Sequence, residues 1–305
     1  MKTHHLPIAA AIAALALPFA SARADIAPND GMRYIGVDTQ ADNRGNRQLL
    51  STLSLPVGRN AWVQLGGGAS RSDPADGGQR PGILTGAVGV AGDAFQFVLS
   101  TAQRYDGSRY RQSDWGSMLE WRHAGNALGL DVTHRREQAS GTVAMPDGQG
   151  GTTPEPSQAR VSGNGFGLHG ALQLSERLNV YAAVARNHYG SSVETVGATP
   201  PGGLLSATPL LGAALLGGAS VVNLDEVALD HSAQLGATYR WSQVAVSGAY
   251  TTGQVLDNAG AVRSVALKAA FDVAPGWRVT PGLGRGSSDQ SGRANFATLS
   301  VAYGW

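Results

Sequence analysis

The sequence predicts an all-β fold, a transmembrane antiparallel up-and-down β-barrel of about fourteen strands, within a range of about 12 to 16. Three observations predict it. Charged residues make up only 15% of the chain, and Gly occurs 42 times in 305 residues, about double its usual share. After the N-terminal segment, no run is both long enough and apolar enough for a confident membrane helix. Apolar residues instead recur at every second position in runs of about ten, as in strands with one apolar face.

The first 24 residues are predicted to be a secretory signal peptide. Lys2 precedes an apolar run, and residues 22–24 form a small-x-small ending typical of a cleavage site. A first transmembrane helix is the alternative, but the run is short and no stop-transfer charges follow it. We therefore expect 25–305 to be the exported barrel. Its nearly neutral charge balance does not suggest a nucleic-acid partner, and the absence of Cys means that the fold does not rely on disulfides.

Fourteen alternating segments follow one another along the chain, and their connections alternate between short turns and longer loops. This rhythm is typical of a meander with its turns at one end of the barrel and its loops at the other. Two long outer loops are expected, a polar one rich in Gly and Pro at 137–162 and one at 190–230. The second loop is apolar over 202–224 and is expected to contain a short helix that narrows the lumen, lies on the rim or docks another subunit. The predicted strands are 31–40, 47–55, 61–70, 83–91, 94–104, 113–123, 127–136, 163–174, 178–189, 231–241, 243–253, 262–273, 277–286 and 294–305.

The two faces of these strands differ in polarity. Leu235 and Tyr239, for example, alternate with Gln234 and Thr238, so one face suits lipid and the other suits water. Trp62 shares a parity with polar neighbours, for which a β-bulge is the expected explanation. Acids and bases are mixed on the water face, so weak ion selectivity is expected. The predicted pore-lining residues are Asp38, Gln64, Gln96, Glu120, Arg122, Asp131, His169, Gln234, Arg240, Lys268 and Arg278.

Aromatic residues gather beside the predicted short turns and at the C-terminus. Such rings favour a membrane interface, so this set predicts an aromatic girdle on the inner, turn side of the barrel. The chain ends on FATLSVAYGW, an alternating strand whose apolar face finishes on an aromatic residue. The predicted girdle and terminal signal comprise Trp121, Tyr239, Trp241, Trp277, Tyr303 and Trp305.

The N-terminal segment, the strand rhythm and the last strand together resemble those of Gram-negative outer-membrane β-barrel proteins. In size and strand count the chain is similar to monomeric fourteen-stranded porins, although no residue motif identifies a particular porin family. The resemblance implies a location in the cell outer membrane, among outer-membrane lipid and lipopolysaccharide. It also implies periplasmic chaperones and the barrel-assembly machinery as partners, with the strand that ends at Trp305 acting as the assembly signal.

The function predicted from these features is a passive, weakly selective channel for small hydrophilic solutes. The alternatives are a non-channel structural, adhesive or export-accessory barrel, and an outer-membrane hydrolase. Glu120, Asp131 and His169 share the inward parity of three strands and are expected to form a lumenal cluster, but polar residues in a barrel need no catalytic role. The GFGLHG run at 165–170 lacks the strand-turn-helix context of a dinucleotide site. No catalytic residue, metal or cofactor is predicted.

Overall fold

The computed structural model describes residues 33–71, 80–107, 110–146, 152–195, 229–255, 260–289 and 292–305. In these residues the chain forms a closed barrel in which each of fourteen antiparallel strands pairs with its neighbours in sequence. No helix in the described ranges has the length and apolar character needed to cross a membrane. The predicted fold class and strand number are therefore confirmed. The predicted signal peptide lies outside the described residues and stays a prediction.

The fourteen strands differ in length from 9 to 22 residues, and the two longest are neighbours. Their bounds are β1 Tyr34–Asp42, β2 Arg47–Val57, β3 Ala61–Arg71, β4 Gly82–Ala91, β5 Phe95–Asp106, β6 Tyr110–His123, β7 Asn126–Pro146, β8 Thr152–Gln173, β9 Leu178–Thr195, β10 Leu229–Arg240, β11 Val244–Val255, β12 Ala261–Ala274, β13 Trp277–Ser288 and β14 Gly292–Gly304.

The first and last strands close the barrel against each other. Their register runs from Tyr34 opposite Gly304 to Asp42 opposite Phe296. The backbone N–H of Trp305 donates to the carbonyl of Arg33 at 3.0 Å, so the pairing extends to the last residue of the chain. Closure pairs both edges of the terminal strand, which removes the aggregation hazard that an apolar terminal strand would otherwise present.

The turns at the inner end of the barrel are short because their residues adopt backbone angles that suit tight hairpins. Between β6 and β7, Ala124 and Gly125 both have positive φ, 48° and 80°, as a two-residue turn of type I′ requires. Between β12 and β13, Gly276 has φ 76° directly after Pro275, the pairing preferred in a type II turn. The alternation of short turns with longer connections is thus built into the local sequence.

The bounds predicted for the long outer loop at 137–162 are wrong. Strand β7 continues to Pro146 and β8 begins at Thr152, and the two pair without interruption from Ala127 opposite Ala171 to Pro146 opposite Thr152. The Gly and Pro content suggested a loop, but an antiparallel hairpin whose two strands run on together keeps its hydrogen bonds along its whole length. The other predicted loop spans 190–230, and its first residues belong to β9, which continues to Thr195. The apolar helix expected in this loop lies outside the described residues.

The strands place apolar side chains outward and mostly polar side chains inward. Leu65, Leu235, Leu267 and Leu283 are 58–68% exposed on the outer surface. Trp62 does not follow this pattern, as its position among polar neighbours in the sequence indicated. The prediction that a β-bulge explains this exception is wrong. The register of β3 with β2 and β4 is unbroken, and the Trp62 side chain points inward with only 6% exposure. Its ring takes the space that a side chain at Gly89 would fill.

Candidate functional site

The predicted pore-lining residues all fall on the inward face of their strands. The alternation of buried and exposed positions along each strand places them there. Gln96, Glu120 and His169 are almost fully buried within the interior, whereas Arg240 at the inner end is exposed. Their role as the lining of a conducting pore stays a prediction.

Five of these residues form one hydrogen-bonded chain across β5, β6, β7 and β8. Arg122 donates from Nη2 to Gln96 and from Nε to Oε1 of Glu120 at 2.5 Å. His169 Nε2 lies 3.0 Å from Oε2 of Glu120, and His169 Nδ1 lies 2.5 Å from Oδ2 of Asp131. A neutral imidazole donates from one nitrogen only, so the imidazolium form alone donates to both carboxylates. The expected cluster of Glu120, Asp131 and His169 is thus formed, and we call the five residues the inner network.

Gly129 makes the inner network geometrically feasible. It stands on β7 directly between Glu120 on β6 and His169 on β8 in the register. A Cβ at Gly129 would overlap the imidazole ring of His169. The missing side chain therefore lets His169 reach across an entire strand to Glu120.

A second network, the outer network, lies nearer the outer ends of β5, β6 and β7. Gln112 Oε1 accepts hydrogen bonds from Tyr110 Oη at 2.6 Å and Arg104 Nη1 at 3.2 Å, and its Nε2 donates to Asp114 at 2.6 Å. Asp114 in turn accepts from Nε of Arg135 at 2.9 Å. These residues were absent from the predicted pore lining. Parity would have revealed Asp114 and Arg135, but Tyr110 and Gln112 lie before the predicted start of their strand.

Charged residues also face inward on the opposite side of the barrel. Ser300 donates a hydrogen bond to Asp38 across the β1–β14 seam, and Lys268 lies close enough to Asp38 to interact with it electrostatically. At the inner mouth, Arg278 Nε donates to Oδ1 of Asp272 at 2.7 Å, and both side chains are partly exposed. In the described part of the interior, acids and bases therefore lie near each other and do not form rings of one sign.

Part of the inward face is apolar, which sequence parity did not predict. Leu50 and Ile83 form one buried cluster with Ala102. Trp62, Val98 and Met118 form another with Ala87. These clusters lie on β2–β6, whose inward face also carries buried polar side chains such as Gln48, Thr85 and Arg104, so the apolar residues form patches within a mixed interior.

Geometry for catalysis or metal binding is not evident in the described part of the chain. Both nitrogens of His169 contact carboxylates, which leaves neither available to activate a nucleophile in this arrangement. Within the described ranges, no group of three or more His, Cys, Asp or Glu side chains is arranged to hold a metal ion.

The predicted girdle residues lie on the outer surface around the inner end of the barrel. Trp277 and Tyr303 have ring centroids 4.9 Å apart, and Tyr303 stacks on Trp305 at 5.9 Å. Tyr239 contacts Trp241 edge-on at 4.7 Å. Trp121, 41% exposed, faces outward in the same way. Their role at a membrane interface and in assembly stays a prediction.

Comparisons with known proteins relate the chain by fold and not by sequence. No protein-family model matches it, and no curated protein matches it. Among solved structures it is similar to the CymD monoaromatic hydrocarbon channel, with a TM-score of 0.53 at 10% identity, covering 90% of this chain and 88% of that one. It is also similar to the Pseudomonas putida toluene transporter TodX, with a TM-score of 0.52 at 11% identity, covering 99% and 94%. A Pseudomonas aeruginosa FadL homologue gives a TM-score of 0.52 at 12% identity, covering 89% of each chain. The chain therefore has the fold of fourteen-stranded outer-membrane barrels.

Proposed function

We propose that this protein resides in the outer membrane and is a passive, weakly selective channel for small hydrophilic solutes. The observation that carries the proposal is the inward face of the closed barrel, where polar and charged side chains predominate on most strands. Apolar residues face outward from the same strands, as a lipid-embedded barrel requires.

Barrel size supports passage of solutes. Fourteen strands spaced about 4.8 Å apart and tilted by about 40° close into a cylinder with a backbone radius of about 14 Å. Side chains fill the interior of an eight-stranded barrel but not one of this circumference. Weak selectivity follows from the paired charges, because Arg122 with Glu120 and Arg278 with Asp272 nearly cancel each other's field.

A channel for hydrophobic solutes is the second candidate, and the two apolar clusters on β2–β6 favour it. Trp62, Val98 and Met118 present an apolar surface to the interior. The CymD and TodX structures, described as a monoaromatic hydrocarbon channel and a toluene transporter, share the fold. The inner and outer networks on β5–β8 favour hydrophilic solutes, which is why we place this candidate second.

Liposome swelling distinguishes the candidates. Barrels reconstituted into liposomes are challenged with sugars of increasing size, and the initial swelling rate should fall smoothly with solute mass. Uptake of toluene is measured on the same liposomes. Sugar-dependent swelling with no gain in toluene uptake over protein-free liposomes supports the hydrophilic channel. Toluene uptake without sugar swelling supports the second candidate.

The matched variants are Gln96→Leu and Met118→Gln, which exchange polar and apolar character in the inner network and in one apolar cluster, respectively. The hydrophilic channel predicts slower sugar entry for Gln96→Leu and little change for Met118→Gln.

Two further alternatives have their own readouts. A structural, adhesive or export-accessory barrel predicts no solute flux at all, and an outer-membrane hydrolase predicts lipid or peptide hydrolysis that Glu120→Gln reduces.

A further inference from the structure

The hairpin of β7 and β8 extends further outward than the strands on either side of it. Strand β6 begins opposite Ala139 of β7, and β9 ends opposite Ser157 of β8. Beyond these positions, β7 and β8 pair only with each other within the described part of the chain. The hairpin therefore has two free edges, which are 140–146 on β7 and 152–156 on β8.

The direction of the backbone groups on these edges follows from the alternation along an antiparallel strand. The N–H and C=O groups of one residue face one neighbouring strand, and those of the next residue face the other. The N–H of Arg122 on β6 donates to the carbonyl of Ala94 on the β5 side at 2.7 Å, so odd-numbered residues of β6 face β7. One of them, Arg111, stands opposite Gln138. Even-numbered residues of β7 therefore face the β6 side.

The free edge of β7 is open to pairing with another strand. The register of β7 with β6 and β8 is unbroken, so the N–H groups of Ser140, Thr142 and Ala144 face away from β8. No charged residue occurs in 140–145, and Pro occurs only at the end of the strand, as Pro146. Charged residues and Pro are the usual protection of an exposed strand edge. The β7 edge lacks this protection over about 20 Å of strand.

The free edge of β8 is blocked. Pro156 stands opposite Thr142 and Pro154 stands opposite Ala144, so the nitrogens of both prolines face away from β7. Proline has no N–H, and a sheet tolerates it on an edge for that reason. Only Thr152 offers an outward N–H on this edge. One hairpin thus has a protected edge and an edge available for pairing.

We propose that the free edge of β7 pairs antiparallel with the same edge of a second copy in a facing outer membrane, so that the protein links two membranes. This inference rests on the proposed location in the outer membrane and is independent of conduction. Two identical edges that pair antiparallel are related by a two-fold axis, which closes the contact after two copies.

The positions of the backbone groups suit this pairing. If the two-fold axis passes beside Val143, Thr142 of each copy stands opposite Ala144 of the other, and both residues donate and accept. Ser140 then stands opposite Pro146, where only the carbonyl of the proline is needed. This arrangement gives about six hydrogen bonds between the copies. The missing N–H of Pro146 therefore costs the edge one donor in each copy and leaves the rest of the ladder intact.

The direction of β7 favours a facing membrane over the same membrane. Strand β7 begins at the inner turn and runs outward, so two copies in one membrane have parallel β7 strands. Each strand is tilted by about 40°, so the facing strands of two such copies cross and do not align. Copies in facing membranes have antiparallel β7 strands. The chain also supplies the fitting partner itself, because the second edge is equally long and uncharged.

Liposome tethering tests the contact. The full chain is reconstituted into phosphatidylcholine liposomes, two populations with different lipid dyes are mixed, and two-colour particles are counted by fluorescence cross-correlation. Thr142→Pro removes an N–H from the free edge of β7 and should lower tethering by about fivefold or more. Thr152→Pro is the matched control, because it removes an N–H from the blocked edge of the same hairpin, and tethering should stay within about twofold of the unaltered protein. The heat-modifiable gel shift verifies that each variant is folded.

A single cysteine locates the contact. The chain has no Cys, so Val143→Cys introduces the only thiol. Pairing centred on this residue places it opposite itself at a Cα–Cα distance of about 4.5 Å, which suits a disulfide. Oxidation of tethered liposomes should give a covalent dimer for Val143→Cys and none for Thr152→Cys. A membrane-impermeant maleimide measures the fraction of hairpins that lie outside the liposomes.

Four results would overturn the proposal. They are tethering to protein-free liposomes, equal losses of tethering for the two folded proline variants, and no tethering by unaltered protein whose hairpins lie outside. The fourth is a Val143→Cys dimer that forms equally in dilute, untethered liposomes, which would place the second copy in the same membrane. Sugar swelling of the same liposomes reports on the channel separately, so failure of the contact and failure of the channel are distinguishable.

Discussion

Gly129 shows at the scale of one residue how the barrel wall sets the arrangement of its interior. Glu120 and His169 belong to strands that do not touch each other, and they meet only because the residue between them has no side chain. The sequence predicted that both residues face inward and cluster with Asp131, because alternation along a strand is a local property. It did not predict the role of Gly129 in their contact, because that depends on the register of three strands.

Replacing Gly129 with Ala should displace His169 and break its contact with Glu120. We expect a loss of about 1–3 kcal/mol in the free energy of unfolding, the usual cost of overpacking. Urea unfolding in detergent micelles, followed by the gel shift of the heat-modifiable barrel, measures the loss. Gly248→Ala is the control, because its Cβ would meet Leu267 at an ordinary 3.9 Å. A loss of the same size in both variants would argue against a special role for Gly129.

Strand β10 tests the assignment of faces at the scale of an element. Leu235 is 61% exposed on the outer surface, whereas Gln234 points inward and donates to Thr251 at 3.2 Å. Leu235→Arg should cost roughly 2–4 kcal/mol, because it places a charge against lipid near the middle of the bilayer. Gln234→Arg should fold normally and shift ion selectivity toward anions. Yields of folded barrel from membranes compare the two, and similar damage from both would contradict the face assignment.

Strand β14 tests the proposed assembly signal. Trp305 stacks on Tyr303, and Trp241 contacts Tyr239 in a comparable aromatic pair, so each ring contributes similar burial. If the terminal residue is also read during assembly, Trp305→Ala should reduce folded protein in the outer membrane much more than Trp241→Ala. Quantitative blotting of heat-modifiable protein in membrane fractions measures the difference. Equal losses of folded protein in the two variants would mean that Trp305 contributes no more to assembly than Trp241 does.

Elements were predictable from the sequence where apolar and polar residues alternate cleanly. The segments at 231–241 and 262–273 correspond closely to β10 and β12. The prediction from the sequence failed where the amino-acid composition favoured a loop but the chain forms paired strands. The Gly- and Pro-rich stretch at 137–162 forms the ends of β7 and β8, because hydrogen bonds between two partnered strands outweigh weak individual strand preferences. Sequence parity was also correct at Trp62, where the preference of Trp for membrane interfaces suggested the wrong face.

At the scale of the whole molecule, the distribution of charge predicts how ions pass. Arg278 and Asp272 pair at the inner mouth, and both are partly exposed to solvent. Arg278→Gln leaves the carboxylate of Asp272 without its basic partner and should shift the reversal potential toward cation preference. Arg285→Gln on the outer face of the same strand removes the same charge and should leave the reversal potential unchanged. An equal shift in both variants would mean that Arg278 does not line the path of the ions.

Closure of the barrel followed from the strand count, the apolar outer face and the terminal strand, all of which the sequence contains. The properties of the interior depend on contacts among side chains from many strands. The apolar clusters that include Leu50, Ile83 and Met118 were not predicted, because one inward apolar residue on a strand carries no information about a cluster until the register of the neighbouring strands is known.

Conductance in planar lipid bilayers tests most directly whether this barrel is an open, passive channel. The folded full chain, identified by its heat-modifiable gel shift, is inserted into a bilayer bathed in KCl. A passive, weakly selective channel predicts discrete ohmic steps whose size rises with KCl concentration, and a reversal potential near zero in a KCl gradient. Verified insertion of folded protein without any conductance steps would contradict the channel.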